Sequence, residues 1–163
     1  ILFIVIFRNV YDWSQSMCKN PYHIDLGANF KELNSKDFSK FIRSRWSSQP
    51  GGIVGKNLGM SLEESENVIT LRNDKNRNWL TLKRLTNNVI FIRYEDLFKN
   101  TNENLSKIES MGLIRHIGDW DIGDKKVSMT KHSDINTEDI EFINNNIDLE
   151  LERIIGYEIN KLV

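Results

Sequence analysis

Residues Ile1 to Phe7 read ILFIVIF, seven apolar side chains with no polar residue among them. A strand wetted on one face alternates apolar and polar residues. A continuous run of Ile, Val, Leu and Phe suits a strand covered on both faces, the usual state in parallel sheets. The run therefore predicts a buried strand in an α/β fold, a partial parallel sheet flanked by helices. Seven residues are far too few to cross a bilayer, which takes about 20 apolar residues in a helix. No other apolar run approaches that length. A signal peptide is not indicated either, because no basic segment precedes the run and no small-residue cleavage site comes after it.

The run gives way to polar residues: Arg8, Asn9, then VYDWSQSMCK. Asp12 is placed to cap a helix, with Gln15 three residues on completing a capping-box pattern, and the helix should stop near Asn20-Pro21. Where a parallel strand feeds a helix, backbone N–H groups and the positive end of the helix dipole converge on a small crevice that favours anions. Arg8 adds a guanidinium fork and Ser16 a hydroxyl donor. On spacing alone, an Arg8–Asp12 ion pair is the simpler account of the same residues.

Length and charge narrow the field. A chain of 163 residues, 39% hydrophobic and 28% charged, is the size of one domain, taken as residues 1–163, with material for one core. Its net charge of -1 argues against a general nucleic-acid binder, so a phosphate site must be local. The single cysteine, Cys18, cannot form an internal disulfide and reads as a small residue packed on the first helix. His116 and His132 have no spacing that suggests a metal site, and none is expected.

Further along, residues 22–34 read as loop, and Ser35 is placed to cap a helix running to Ser47 with Phe38, Phe41 and Ile42 inward. The glycine-rich QPGGIVGKNLG contains Lys56 but fails the test for a phosphate loop: its glycines are off spacing and Asn57 stands where Ser or Thr is needed. A turn or short helix is expected over 63–67 and a brief strand over Val68–Leu71. Arg72, Lys75, Arg77, Lys83 and Arg84 around Trp79 suggest a solvated helix face.

Val89–Ile92 is a second apolar strand, followed by Arg93-Tyr94-Glu95-Asp96-Leu97. Tyr94 on physical grounds alone fits a packed aromatic with a satisfied hydroxyl, and Glu95 and Asp96 fit a helix start. Thr101 is expected to cap a helix to Ser110, with Gly112 just past its end. Residues 113–134, including Lys125 and Lys126, show no hydrophobic period. Asn136 or Thr137 should cap a last helix carrying Ile140, Ile143, Ile147, Leu151 and Ile154 on one face and ending at Gly156.

Several of these segments resemble a known family. RNVYDWSQS is similar to the RNPxDxxxS stretch of the sulfotransferases that use 3'-phosphoadenylyl sulfate (PAPS), and RYEDL resembles the YEDL segment after a later sheet strand of that family. NNNIDLELERIIGY also resembles the C-terminal segment of short sulfotransferases. The resemblance implies a P-loop nucleoside triphosphate hydrolase-like sulfotransferase fold, with Arg8 and Ser16 on the 3'-phosphate of the donor and Tyr94 against its adenine. Val10 replaces the usual proline, which loses turn rigidity but no phosphate ligand. Asn20-Pro21-Tyr22-His23 resembles a segment on the acceptor side. His23 is then a candidate to contact substrate or move a proton, beside the plainer reading of a loop histidine.

The implied reaction moves a sulfuryl group from PAPS to an acceptor hydroxyl or amine, with carbohydrate one acceptor class and no metal. In that family the 5'-phosphosulfate loop and the usual base precede the RNPxDxxxS strand. Here the sequence opens in mid-strand and its first methionine is Met17. The expectation is a fragment without that loop, inactive by itself, whose catalytic residues are unknown. The competing reading is a non-catalytic nucleotide-binding or interaction domain with a degenerate form of the same fold.

Overall fold

The computed structural model describes residues 1–19, 37–44, 46–47, 64–112 and 134–159. Strand β1 (Phe3–Phe7) leads into helix α1 (Val10–Lys19), followed by α2 (Phe38–Arg43) and the two-residue strands β2 (Trp46–Ser47) and β3 (Glu64–Ser65). Helix α3 (Val68–Leu85) precedes β4 (Val89–Arg93), α4 (Tyr94–Lys99) and α5 (Thr101–Ser110), and α6 (Thr137–Asn146) and α7 (Leu149–Ile154) complete the order. β1 and β4 pair in parallel, from Phe3 opposite Val89 to Phe7 opposite Arg93, while β2 and β3 pair antiparallel. The fold is thus α/β, with a parallel pair of strands flanked by helices.

β1 departs from the expectation of burial on both faces. Val5 and Phe7 are buried, whereas Ile4 and Ile6 are 40% and 51% exposed. The pleat sends successive side chains to opposite faces. One face therefore packs Val5 and Phe7 with Ile155, Trp79, Leu80, Phe91 and Tyr157. A separate helical core gathers Val10 and Cys18 of α1, Phe41 and Ile42 of α2, Val68 and Ile69 of α3, and Ile143 of α6.

The helix starts follow short polar side chains, though not always those expected. α1 begins at Val10 rather than Asp12. The Asn9 side-chain oxygen accepts from the Tyr11 N–H at 2.9 Å, so Asn9 does the capping. Val68–Leu71 is not a strand but the first turn of α3. Asn67 accepts from the Ile69 and Thr70 N–H groups, and the Thr70 hydroxyl accepts from the Asn67 N–H, a capping box whose local bonds outweigh the strand preference of Val-Ile-Thr.

α2 begins at Phe38 with Asp37 accepting from the Lys40 N–H, and Ser35 lies outside the described residues. Thr101 is the first helical residue of α5 rather than its cap. The expected last helix is two. Ile147 takes an extended conformation, and Asp148 accepts from the Leu151 N–H to start α7, which leaves Ile154 63% exposed. Asn136 caps α6, and Gly112 and Gly156 sit at positive φ of 90° and 86° after α5 and α7.

The basic face of α3 is not uniformly solvated. Arg72, one turn beyond Val68 and Ile69, is 2% exposed and forms a two-pronged ion pair with the fully buried Glu152 of α7. Arg77 is exposed and bridges Asp74 and Asp148.

Candidate functional site

The register of the parallel pair decides which residues meet at its carboxyl end. Phe7 lies opposite Arg93, so the next residues, Arg8 and Tyr94, leave the sheet side by side. The guanidinium carbon of Arg8 stands 4.6 Å from the centre of the Tyr94 ring, a cation–π contact. Phe98, one turn along α4, meets the same ring edge-on with centroids 4.8 Å apart. Two residues about half the chain apart in sequence thus share one corner.

The backbone of the β1–α1 turn is held from three directions. The Asn9 N–H donates to Glu95 Oε1 at 3.0 Å. The Arg8 carbonyl accepts from Arg72 Nη2 at 2.8 Å, the same guanidinium that pairs with Glu152. The Tyr157 hydroxyl lies within reach of two acceptors that share its single proton, the Phe7 carbonyl at 3.0 Å and Glu95 Oε2. Burial, and then the bond to Glu95, push the Tyr157 phenol far above its ordinary range, so it remains a neutral donor. Both Glu95 oxygens are committed to hydrogen bonds, which suits the carboxylate to positioning.

This arrangement bears on the anion crevice expected from the strand-to-helix turn. Two of the N–H groups at the start of α1 are already used, that of Asn9 by Glu95 and that of Tyr11 by the Asn9 side chain. Fewer backbone donors are therefore left at this corner than the strand-to-helix geometry alone implies. Ser16, half-buried, lies seven residues and two turns from Asn9, on the same face of α1 and about 10 Å along it at 1.5 Å per residue. No hydrogen bond joins Ser16 to Arg8 or Tyr94 among the described residues. Ser14, nearer the turn, is buried with its hydroxyl donating to the Tyr11 carbonyl. His23, Lys56, His116, Lys125, Lys126 and His132 lie outside the described residues.

An open groove of about 310 Å³ runs along β4 between α5 and α7, lined by Ile90, Ile92, Arg93, Lys107 and Ile154 among others. It includes none of Arg8, Ser16 and Tyr94. Among the described residues no group of three or more His, Cys, Asp or Glu side chains could hold a metal ion, and no helix is long and apolar enough to cross a membrane.

The sequence reading missed Arg72, Glu95, Glu152 and Tyr157 as supports of the turn. A signal existed for two of them: Arg72 follows Val68 and Ile69 at helical spacing, and Glu152 stands between Leu151 and Ile155. A charge on a core-facing position calls for a buried partner. No protein-family profile, curated protein or solved structure matches the chain.

Proposed function

We propose that this chain carries the 3'-phosphate and adenine half of a PAPS site, in a sulfotransferase domain with a P-loop-like fold. One observation supports the reading above the others: the parallel strands end in register, which sets the Arg8 guanidinium against Tyr94 at the corner where this family's two motifs would meet. Arg8 supplies a fixed-charge fork for phosphate oxygens, and Ser16 a second donor farther along α1. Tyr94 borders the adenine with the part of its ring left open by Arg8 and Phe98.

In the proposed reaction the bond from sulfur to the bridging oxygen of PAPS breaks as one forms to an acceptor hydroxyl or amine. The acceptor gives up its proton to a base, and adenosine 3',5'-bisphosphate leaves. Arg8, Ser16 and Tyr94 bind and orient the donor. Their role is recognition of the donor, and the family resemblance implies an acceptor class that includes carbohydrate.

The test is calorimetric titration of adenosine 3',5'-bisphosphate into the native protein and into Arg8→Ala, with circular dichroism to confirm folding. Loss of a charged, partly desolvated hydrogen-bonding group is expected to cost about 2 kcal/mol, or roughly 30-fold in affinity. An unchanged dissociation constant in the folded variant overturns the assignment.

A further inference from the structure

Tyr94 and Glu95 are neighbours on the first turn of α4, yet each reaches a different part of the β1–α1 turn. Successive helical side chains point about 100° apart, which lets one residue address the side chain of Arg8 while the next addresses the backbone beside it. Tyr94 offers its ring to the guanidinium at 4.6 Å, and Glu95 accepts the Asn9 N–H at 3.0 Å. Phe98 backs the ring from one side, and the Tyr157 hydroxyl ties the second Glu95 oxygen to the Phe7 carbonyl.

We infer that Tyr94 and Glu95 are positioning residues for Arg8, with Tyr94 seating the guanidinium and Glu95 fixing the turn that carries it. The role deepens the proposed phosphate site and rests on it for the identity of the ligand. It also separates Tyr94 from a purely adenine-facing function. An arginine side chain has several rotatable bonds, and ordering it on binding weakens affinity. A guanidinium already held on an aromatic face meets an oxyanion with that ordering complete. Tyr94 then strengthens binding of phosphate whether or not a base is attached.

The experiment compares adenosine 3',5'-bisphosphate with inorganic phosphate as probes, following binding by nuclear magnetic resonance titration of the native chain, Arg8→Ala, Tyr94→Leu, Tyr94→Phe and Arg8→Ala/Tyr94→Leu. Tyr94→Leu is expected to weaken inorganic phosphate about two- to tenfold for one unseated side chain, and the bisphosphate by at least that factor because the adenine contact goes with it. Tyr94→Phe, which keeps the ring, retains the native affinity for phosphate. In the Arg8→Ala background the Leu substitution has no further effect on phosphate, the coupling expected of residues that act together. A loss confined to the nucleotide, or a full loss that persists without Arg8, overturns the positioning role.

If Arg8→Ala leaves both probes unaffected, the phosphate site itself falls, a result distinct from failure of the Tyr94 comparison. A ligand-free readout keeps the seat testable in that case. The Arg8 Cδ protons carry a ring-current shift in the native protein and in Tyr94→Phe that is lost in Tyr94→Leu, and its absence from the native protein overturns the seat. For Glu95, the Gln variant keeps an oxygen for the Asn9 N–H and is expected to bind phosphate more tightly than Glu95→Ala. Equal affinities of the two variants overturn the backbone half of the proposal.

Discussion

The two faces of β1 carry much the same kinds of side chain and have opposite fates. Val5 and Phe7 are 8% and 3% exposed, while Ile4 and Ile6, one residue out of phase, are 40% and 51% exposed. Hydrophobicity does not distinguish them. What does is the neighbour each face meets: α3 and the segment after α7 cover the first, and among the described residues no comparable cover lies over Ile4 and Ile6. The buried face is also the one whose end is fastened by polar bonds, since the Phe7 carbonyl receives the Tyr157 hydroxyl. Apolar burial sets the layer, and the hydrogen bonds at its edge fix the position of Arg8 within it.

Three substitutions press on that contrast. Phe7→Ala removes the largest buried ring of the covered face and is expected to destabilise by about 3–5 kcal/mol, measured by urea unfolding. A loss below about 1 kcal/mol would contradict the packing described for this face. Tyr157→Phe deletes the hydroxyl that joins Phe7 and Glu95, with an expected cost of about 1–2 kcal/mol at neutral pH.

The sign of the pH dependence comes from the raised phenol. The folded state keeps the Tyr157 proton more tightly than the unfolded chain does. Its contribution is complete below the ordinary tyrosine value of about 10 and declines as pH rises through and beyond it. Native protein and Tyr157→Phe should therefore converge in stability above that pH, and a constant difference across the alkaline range would refute this. Ile6→Thr, at the exposed position, is expected to change stability by no more than about 0.5 kcal/mol while retaining a β-branched side chain. A cost comparable with that of Phe7→Ala would mean that the two faces are equally covered.

The sequence made the local pieces legible and the long-range ones only in part. β1 and β4 announced themselves through ILFIVIF and VIFIR, and Gly112, Gly156 and Asn136 marked helix ends through chemistry carried by one or two residues. The start of α3 was misread because Val68, Ile69 and Thr70 favour strands individually, whereas the Asn67–Thr70 capping box acts as a unit. The juxtaposition of Arg8 and Tyr94 depends on strand register, which neither motif contains. The pairing of Arg72 with Glu152 joins positions 80 residues apart. No periodicity within either helix names the other partner.

The clamp on the Arg8 turn also orders events in time. Its bonds reach across 64 residues to Arg72, 86 to Glu95 and 150 to Tyr157. Contacts of such separation form slowly, because a long loop must close before they stabilise anything. In a chain made from its N-terminus, Arg8 emerges before any of these partners, and the hydroxyl that joins Phe7 to Glu95 is synthesised 150 residues after Phe7. Maturation of the proposed binding corner is thereby tied to the arrival of Tyr157, long after both strands of the parallel pair have emerged.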